Sequence, residues 1–334
     1  MKKLFIILVS IIICNISAYS KDKKNNMSIS GGRNNKTLSC ELKGITIEVG
    51  QAKSFTPADW QALADSKVTD FVIIPAAVEN YDSTESGYKN KLAPLVIDAI
   101  NQLVMRRSTA KIWIGTPGVS SRDYAIAATS TSPFFNYISY IRQQIGSTKW
   151  TNNIRGIYMN QESVYGTVDY NNIMGNPTIK LMSDLSVLVH NNLKKEFLWI
   201  PYYGYGTDPN NIIRNIGYVA DQANIFDYVV IQPHYYFDGT VKTNLDGVYN
   251  SIKKQNVCYR NGKAVTVKKS KTIIGPEMEL DWHIVSPNNY KDQLSRYLDY
   301  VSKYIEFKSN VPVVFYWDGN IQNALSSRIN QYFE

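Results

Sequence analysis

Two segments carry the chemistry in this 334-residue chain: Gly156-Ile157-Tyr158-Met159-Asn160-Gln161-Glu162 and Ile273-Ile274-Gly275-Pro276-Glu277-Met278-Glu279. Each is a largely apolar run that closes on glutamate. A carboxylate ending such a run is costly to bury unless it is paired, hydrogen-bonded or working. Two carboxyl groups facing each other across a cleft suit displacement at an acetal carbon. One protonates the leaving oxygen while the other attacks the carbon or activates water. Side chains alternate along a strand, so Tyr158, Asn160 and Glu162 share one orientation, as do Glu277 and Glu279. Glu162 is read as the acid/base. Glu279, one layer nearer the mouth, is the first choice for nucleophile; Glu277 competes for that role or holds a sugar hydroxyl.

The elements that position these residues alternate. Eight short β-like runs read as buried parallel strands: Ile45–Gln51, Val68–Ala77, Lys111–Gly115, Ile154–Glu162, Phe197–Tyr203, Tyr228–Tyr236, Thr272–Glu279 and Val311–Trp317. Between them lie stretches of helical spacing, the first opened by Thr56-Pro57 in cap-then-proline order. Strict βα alternation over roughly 290 residues predicts a single-domain α/β (β/α)8 TIM barrel, with the C-terminal strand ends opening on one face. The glutamates then close strands four and seven, on opposite sides of that mouth. Arg260-Asn261-Gly262-Lys263 predicts a hairpin between the sixth helix and the seventh strand, expected on the bottom face.

Other strand-end residues suit a carbohydrate, whose C–H faces pack on aromatic rings and whose hydroxyls meet amides and carboxylates. Tyr202, Tyr203 and Tyr205 follow strand five, and Gln232, His234, Tyr235 and Tyr236 close strand six. Trp282 and His283 follow strand seven, and Trp317-Asp318 ends strand eight. The expected substrate-binding set is Asn160, Tyr158, Tyr202, Tyr203, Gln232, His234, Tyr235, Trp282, Trp317 and Asp318. Loops Val78–Asn90 and Ser163–Asn176 are expected to wall the cleft. No Gly-x-Gly-x-x-Gly follows the first strand, and three histidines are too few for a metal cluster. No cofactor and no metal are expected.

The first twenty residues read as a secretory signal: Lys2 and Lys3, an apolar run from Leu4 to Ile16, then Ser17-Ala18-Tyr19-Ser20. The expected location is secreted or periplasmic, with no membrane span later in the chain. Residues 21–40 read as a flexible polar leader, and 41–334 as the catalytic barrel. The chain holds 36 Lys+Arg against 28 Asp+Glu, but residues 41–334 hold 29 against 27. The basic excess therefore lies in the first forty residues, and a nucleic-acid partner is not expected. Cys40 and Cys258, both placed on the bottom face, could pair in an oxidising compartment or stay as separate thiols.

With these residues placed, the chain resembles the glycoside hydrolase superfamily of TIM barrels, clan A in particular. That resemblance implies an acid/base Glu after strand four (Glu162), a nucleophile Glu after strand seven (Glu279 or Glu277) and a sugar-platform Trp after strand eight (Trp317). It implies an oligo- or polysaccharide substrate and a retaining mechanism. Phe197–Tyr203 and Ile231–Phe237 look like an uncharacterised bacterial domain-of-unknown-function family within that superfamily. One departure stands out: clan A places Asn directly before the acid, whereas Gln161 precedes Glu162 and Asn160 lies two back. Asn-x-Glu is similar to endo-β-N-acetylglucosaminidases, in which the substrate's acetamido group is the nucleophile, with chitinases carrying Asp at the Asn position. Substrate-assisted hydrolysis by Asn160 and Glu162 is therefore one alternative, and a barrel that only binds glycans is another.

Overall fold

The computed structural model describes residues 41–50, 55–75, 87–118, 131–221, 224–268, 270–285 and 290–334. The signal, the leader, Cys40 and most of the 78–90 loop lie outside these residues, so the Cys40–Cys258 pairing does too. All eight expected strands form: β1 (Lys43–Val49), β2 (Asp70–Pro75), β3 (Lys111–Gly115), β4 (Ile154–Met159), β5 (Glu196–Trp199), β6 (Tyr228–Ile231), β7 (Ile273–Asp281) and β8 (Val313–Asp318). They pair in parallel in sequence order and close on themselves, β1 against β8. The fold is a (β/α)8 barrel.

Helices return the chain from mouth to bottom: α1 (Pro57–Asp65), α2 (Ala93–Arg106), α3 (Ser132–Asn152), α4 (Pro177–Val187), α5 (Pro209–Asp221), α6 (Thr243–Lys254) and α7 (Lys291–Tyr304). A last helical stretch passes from Ile321–Ala324 through a wider turn at Leu325–Ile329 to Asn330–Phe333. Thr56 caps α1 as its sequence predicts: its hydroxyl accepts from the Asp59 amide, and the Asp59 carboxylate accepts from the Thr56 amide at 2.8 Å. Asn176 does more than cap α4. Its Oδ1 accepts from the amides of Thr178 and Ile179, and its Nδ2 donates to the carbonyls of Tyr165 and Thr167. One side chain thereby ties the post-β4 loop to the helix that follows.

Strand alternation sorts the core into two layers. Outward residues such as Ile47, Phe71, Ile157, Phe197 and Met278 pack under the helices. Inward residues Leu42, Val72, Trp113, Tyr158, Leu198, Ile200, Tyr228, Val230, Ile273 and Val314 fill the barrel. At its lower end Arg155 lies between the rings of Trp113 and Tyr228 and ion-pairs with Asp70 (2.9 Å) and Glu196 (2.8 Å). The barrel bottom thus holds a paired cation.

The Asn261-Gly262 hairpin forms, with Cys258 bridging Ala264 and Gly262 at φ 79°. It does not sit on the bottom face. The Cys258 amide donates to Ser251 Oγ in mid α6, and its carbonyl accepts from the Tyr203 hydroxyl at the end of β5. Arg260 donates to the Gly204 carbonyl and to Asn244 Oδ1 near the mouth. Buried polar groups at the top of the barrel draw the hairpin up the flank, so Cys258 lies at mid-height.

Candidate active site

β4 ends at Met159, three residues short of the expected end, where the Gln161 amide turns back to the Met159 carbonyl (2.8 Å). Glu162 therefore stands on a loop at the mouth rather than on a strand. β5 and β6 continue past their ladders through the Tyr202–Gln232 bridge, which points both side chains at Glu162. Gln232 Nε2 donates to Glu162 Oε1 at 3.1 Å and to the Ile200 carbonyl at 3.0 Å. Burial raises the Glu162 pKa, held back by Gln232 and the Tyr202 hydroxyl.

β7 runs two residues past its expected end and keeps Glu277, Glu279 and Asp281 buried. Their environments differ. Glu277 is 2% exposed, and no donor among the described residues reaches its carboxyl. Burial and the charges of Glu279, Glu162 and Glu48 push its pKa well above the ordinary carboxyl value. Glu279, equally buried, is surrounded by donors: the His234 amide at 3.1 Å, the Tyr236 amide and the Tyr300 hydroxyl. Burial lifts its pKa to about 7 against the pull of those three bonds. Asp281 accepts from the Tyr236 hydroxyl and pairs with His283 Nδ1, both at 2.7 Å.

The inward row above the barrel core is thus acidic and phenolic. Glu48 of β1, Glu162 and Glu277 all act electrostatically on Tyr158, which floors the site, and on Tyr316 of β8. Around it stands an aromatic wall. The His234 ring lies 4.3 Å from Tyr205, 5.5 Å from Tyr202 and 5.8 Å from Phe237, and Phe237 lies 6.0 Å from Tyr316. Tyr205 and Phe237 are exposed at its rim. Burial lowers the His234 pKa, against the opposing charge of Asp238. Trp282 is 42% exposed after β7, stacked on His283 at 3.8 Å, and Asp318 is exposed at the end of β8.

Three expected sugar contacts lie elsewhere. Tyr203 is wholly buried against α6, where only glycine at 247 leaves room: a Cβ there would stand 1.9 Å from its hydroxyl. Tyr235 stacks on Tyr300 and donates to Asp299 of α7. Trp317 belongs to the apolar layer beneath the helices. In each case the neighbour, Tyr202, His234 or Tyr316, takes the cleft position. Asn160 packs its Nδ2 3.5 Å from where a Cβ on Gly118 would lie, and its main-chain amide donates to the Thr116 hydroxyl just past β3. The sequence reading passed over Glu48, Tyr316 and Tyr300. Alternation could have found two of them, since Glu48 follows Gly44 and Thr46 in the inward row and Tyr316 follows Val314. Among the described residues, no three His, Cys, Asp or Glu side chains are arranged to hold a metal ion, and no helix is long and apolar enough to cross a membrane.

No protein-family model and no curated protein matches the chain. Among solved structures, the fold is similar to a candidate alpha-L-fucosidase from Bacteroides thetaiotaomicron (TM-score 0.54, 11% identity, 91% of this chain and 98% of that one). It is similar to the C-terminal domain of ChiA from Legionella pneumophila (TM-score 0.50, 12% identity, 87% and 97% covered). A chitinase-like agglutinin from Robinia pseudoacacia aligns at TM-score 0.47 and 13% identity, over 88% and 100%. The first two likenesses agree with the (β/α)8 barrel fold; the narrower domain-of-unknown-function likeness has no matching family model.

Proposed function

We propose that this barrel hydrolyses glycosidic bonds, with Glu162 as acid/base and Glu277 as nucleophile. The observation that carries the reading is Glu277: a buried carboxyl with no donor among the described residues, set in the barrel mouth among other acids. Such a group destabilises the empty protein and suits a transition state that places positive charge on a sugar ring. Glu279, the first choice from sequence, already has its carboxylate occupied by three donors, so the open position falls to its neighbour two residues earlier.

In this mechanism Glu162 and Glu277 hold one proton between them. With the proton on Glu162, the Glu277 carboxylate attacks the anomeric carbon while Glu162 protonates the departing oxygen. Water then enters, Glu162 takes its proton, and the glycosyl ester on Glu277 is cleaved. Gln232 and Tyr202 aim Glu162, and the aromatic wall supports the sugar faces. The signal-like first twenty residues support a glycan outside the cytoplasm as substrate.

The test uses aryl glycosides and a broad glycan panel. Glu162→Gln should lose natural substrates by several orders of magnitude yet retain activated aryl glycosides, which need no proton at the leaving oxygen. Azide should restore turnover to Glu277→Ala with inverted product configuration. Wild-type levels of hydrolysis in both variants would overturn the assignment, and glycan binding without any turnover by the native chain would leave a binding-only barrel.

A further inference from the structure

We propose that Glu279 is a positioning residue: its carboxylate fills a nest of main-chain amides and thereby fixes the turn after β6, which carries Gln232 and the aromatic wall. The reaction part of this inference rests on the reading above; the anchoring part does not.

The turn runs Gln232-Pro233-His234-Tyr235-Tyr236-Phe237. His234 has φ 60°, a left-handed conformation that is uncommon for a residue with a side chain. Alternation into that region turns successive amides toward one point, making an anion-binding concavity. Here the amides of His234 and Tyr236 reach the Glu279 carboxylate. The Tyr235 amide reaches the Tyr300 hydroxyl at 3.1 Å, and the Tyr236 amide lies 3.3 Å from the same oxygen. That hydroxyl has a single proton and gives it to Glu279, so its lone pairs are left to face the two amides. Every donor in the bracket has an acceptor only while position 279 presents two acceptor oxygens.

The front of the same turn faces the site. Gln232 holds Glu162, and the His234 and Phe237 rings form the wall with Tyr205 and Tyr316. Asn244 and Arg296 fasten the turn's carbonyls at Pro233, Tyr236 and Phe237, but neither engages its amides. A Glu279→Gln side chain would set its NH2 against one of three converging donors. Tyr300→Phe would leave the Tyr235 amide facing a hydrocarbon edge and the Tyr236 amide with Glu279 alone.

The decisive measurement is the His234 backbone amide resonance in the full chain, compared among the native protein, Glu279→Gln, Tyr300→Phe and Glu277→Gln. The first two variants should move or broaden it, and Glu277→Gln should leave it in place. An unmoved resonance in both Glu279→Gln and Tyr300→Phe would overturn the anchoring. On aryl glycosides, Tyr300→Phe should cost ~10²-fold in kcat, the scale of a displaced catalytic group, and azide should not rescue Glu279→Ala. An azide adduct from Glu279→Ala would make Glu279 the nucleophile and overturn the inference. If the native chain cleaves nothing, the hydrolase reading fails while the resonance still decides the anchor.

Discussion

Glu277→Gln should make the protein more stable at neutral pH while removing its chemistry. Glu277 is buried, has no hydrogen-bond donor among the described residues, and has its pKa raised by burial and by Glu279, Glu162 and Glu48. Its ordinary value is 4.5, so between that pH and its raised folded value the folded chain holds a proton that the unfolded chain has released. Each pH unit within that window costs folding about 1.4 kcal/mol. Because the folded pKa is the raised one, the native protein should lose stability as pH rises above 4.5, and the loss should be absent below it. Glutamine keeps the shape and has no charge to suppress. At ~2–4 °C per kcal/mol, the scale for domains of about 150–250 residues, the variant should melt several degrees higher at pH 7 and within about 1 °C of native at pH 4. Melting curves from pH 4 to 8 for both proteins test this, alongside aryl glycoside turnover. A variant that melts lower than native at pH 7, or gains equally at pH 4, would refute the idea that suppressed ionisation is the cause.

Arg155→Met should cost about 3–5 kcal/mol in urea unfolding, because it leaves Asp70 and Glu196 without their shared cation inside the barrel; a loss under 1 kcal/mol would mean that water reaches these acids. Tyr203→Phe should lose about 1 kcal/mol through its bond to the Cys258 carbonyl and leave sugar affinity unchanged. Tyr202→Phe should show the opposite pattern, moving the alkaline limb of the pH–rate profile up as Glu162 loses a hydrogen bond that lowers its pKa; equal effects from the two tyrosines would contradict their opposite orientations. Trp282→Ala should weaken glycan binding with little change in melting temperature, since the indole is 42% exposed; calorimetric titration against the best substrate reads this out.

The barrel was legible because its signals are local. A β-branched run, a capping pair such as Thr56-Pro57 and the next run each follow from a few residues, and eight repetitions leave one architecture. Glu162 and Glu277 were legible as candidates for the same reason. The misplacements of Tyr203, Tyr235 and Trp317 came from treating adjacent aromatic residues as one cluster, although adjacent strand positions face opposite ways. Respecting the period of two selects Tyr202 and Tyr316, and brings Glu48 of β1 into the site. The ranking of Glu279 over Glu277 is a different matter. Both lie in the same inward row, so periodicity cannot separate them. What separates them is Tyr300, twenty-one residues on in α7, and the left-handed turn at His234, forty-five residues back. A carboxylate's role in a buried site depends on which donors reach it, and donors here come from elements that no local pattern ties to β7. Depth below the mouth was the only criterion the sequence offered, and it ranks reach rather than availability. Glu277 is the deeper of the two, yet it is the one whose oxygens no donor among the described residues occupies.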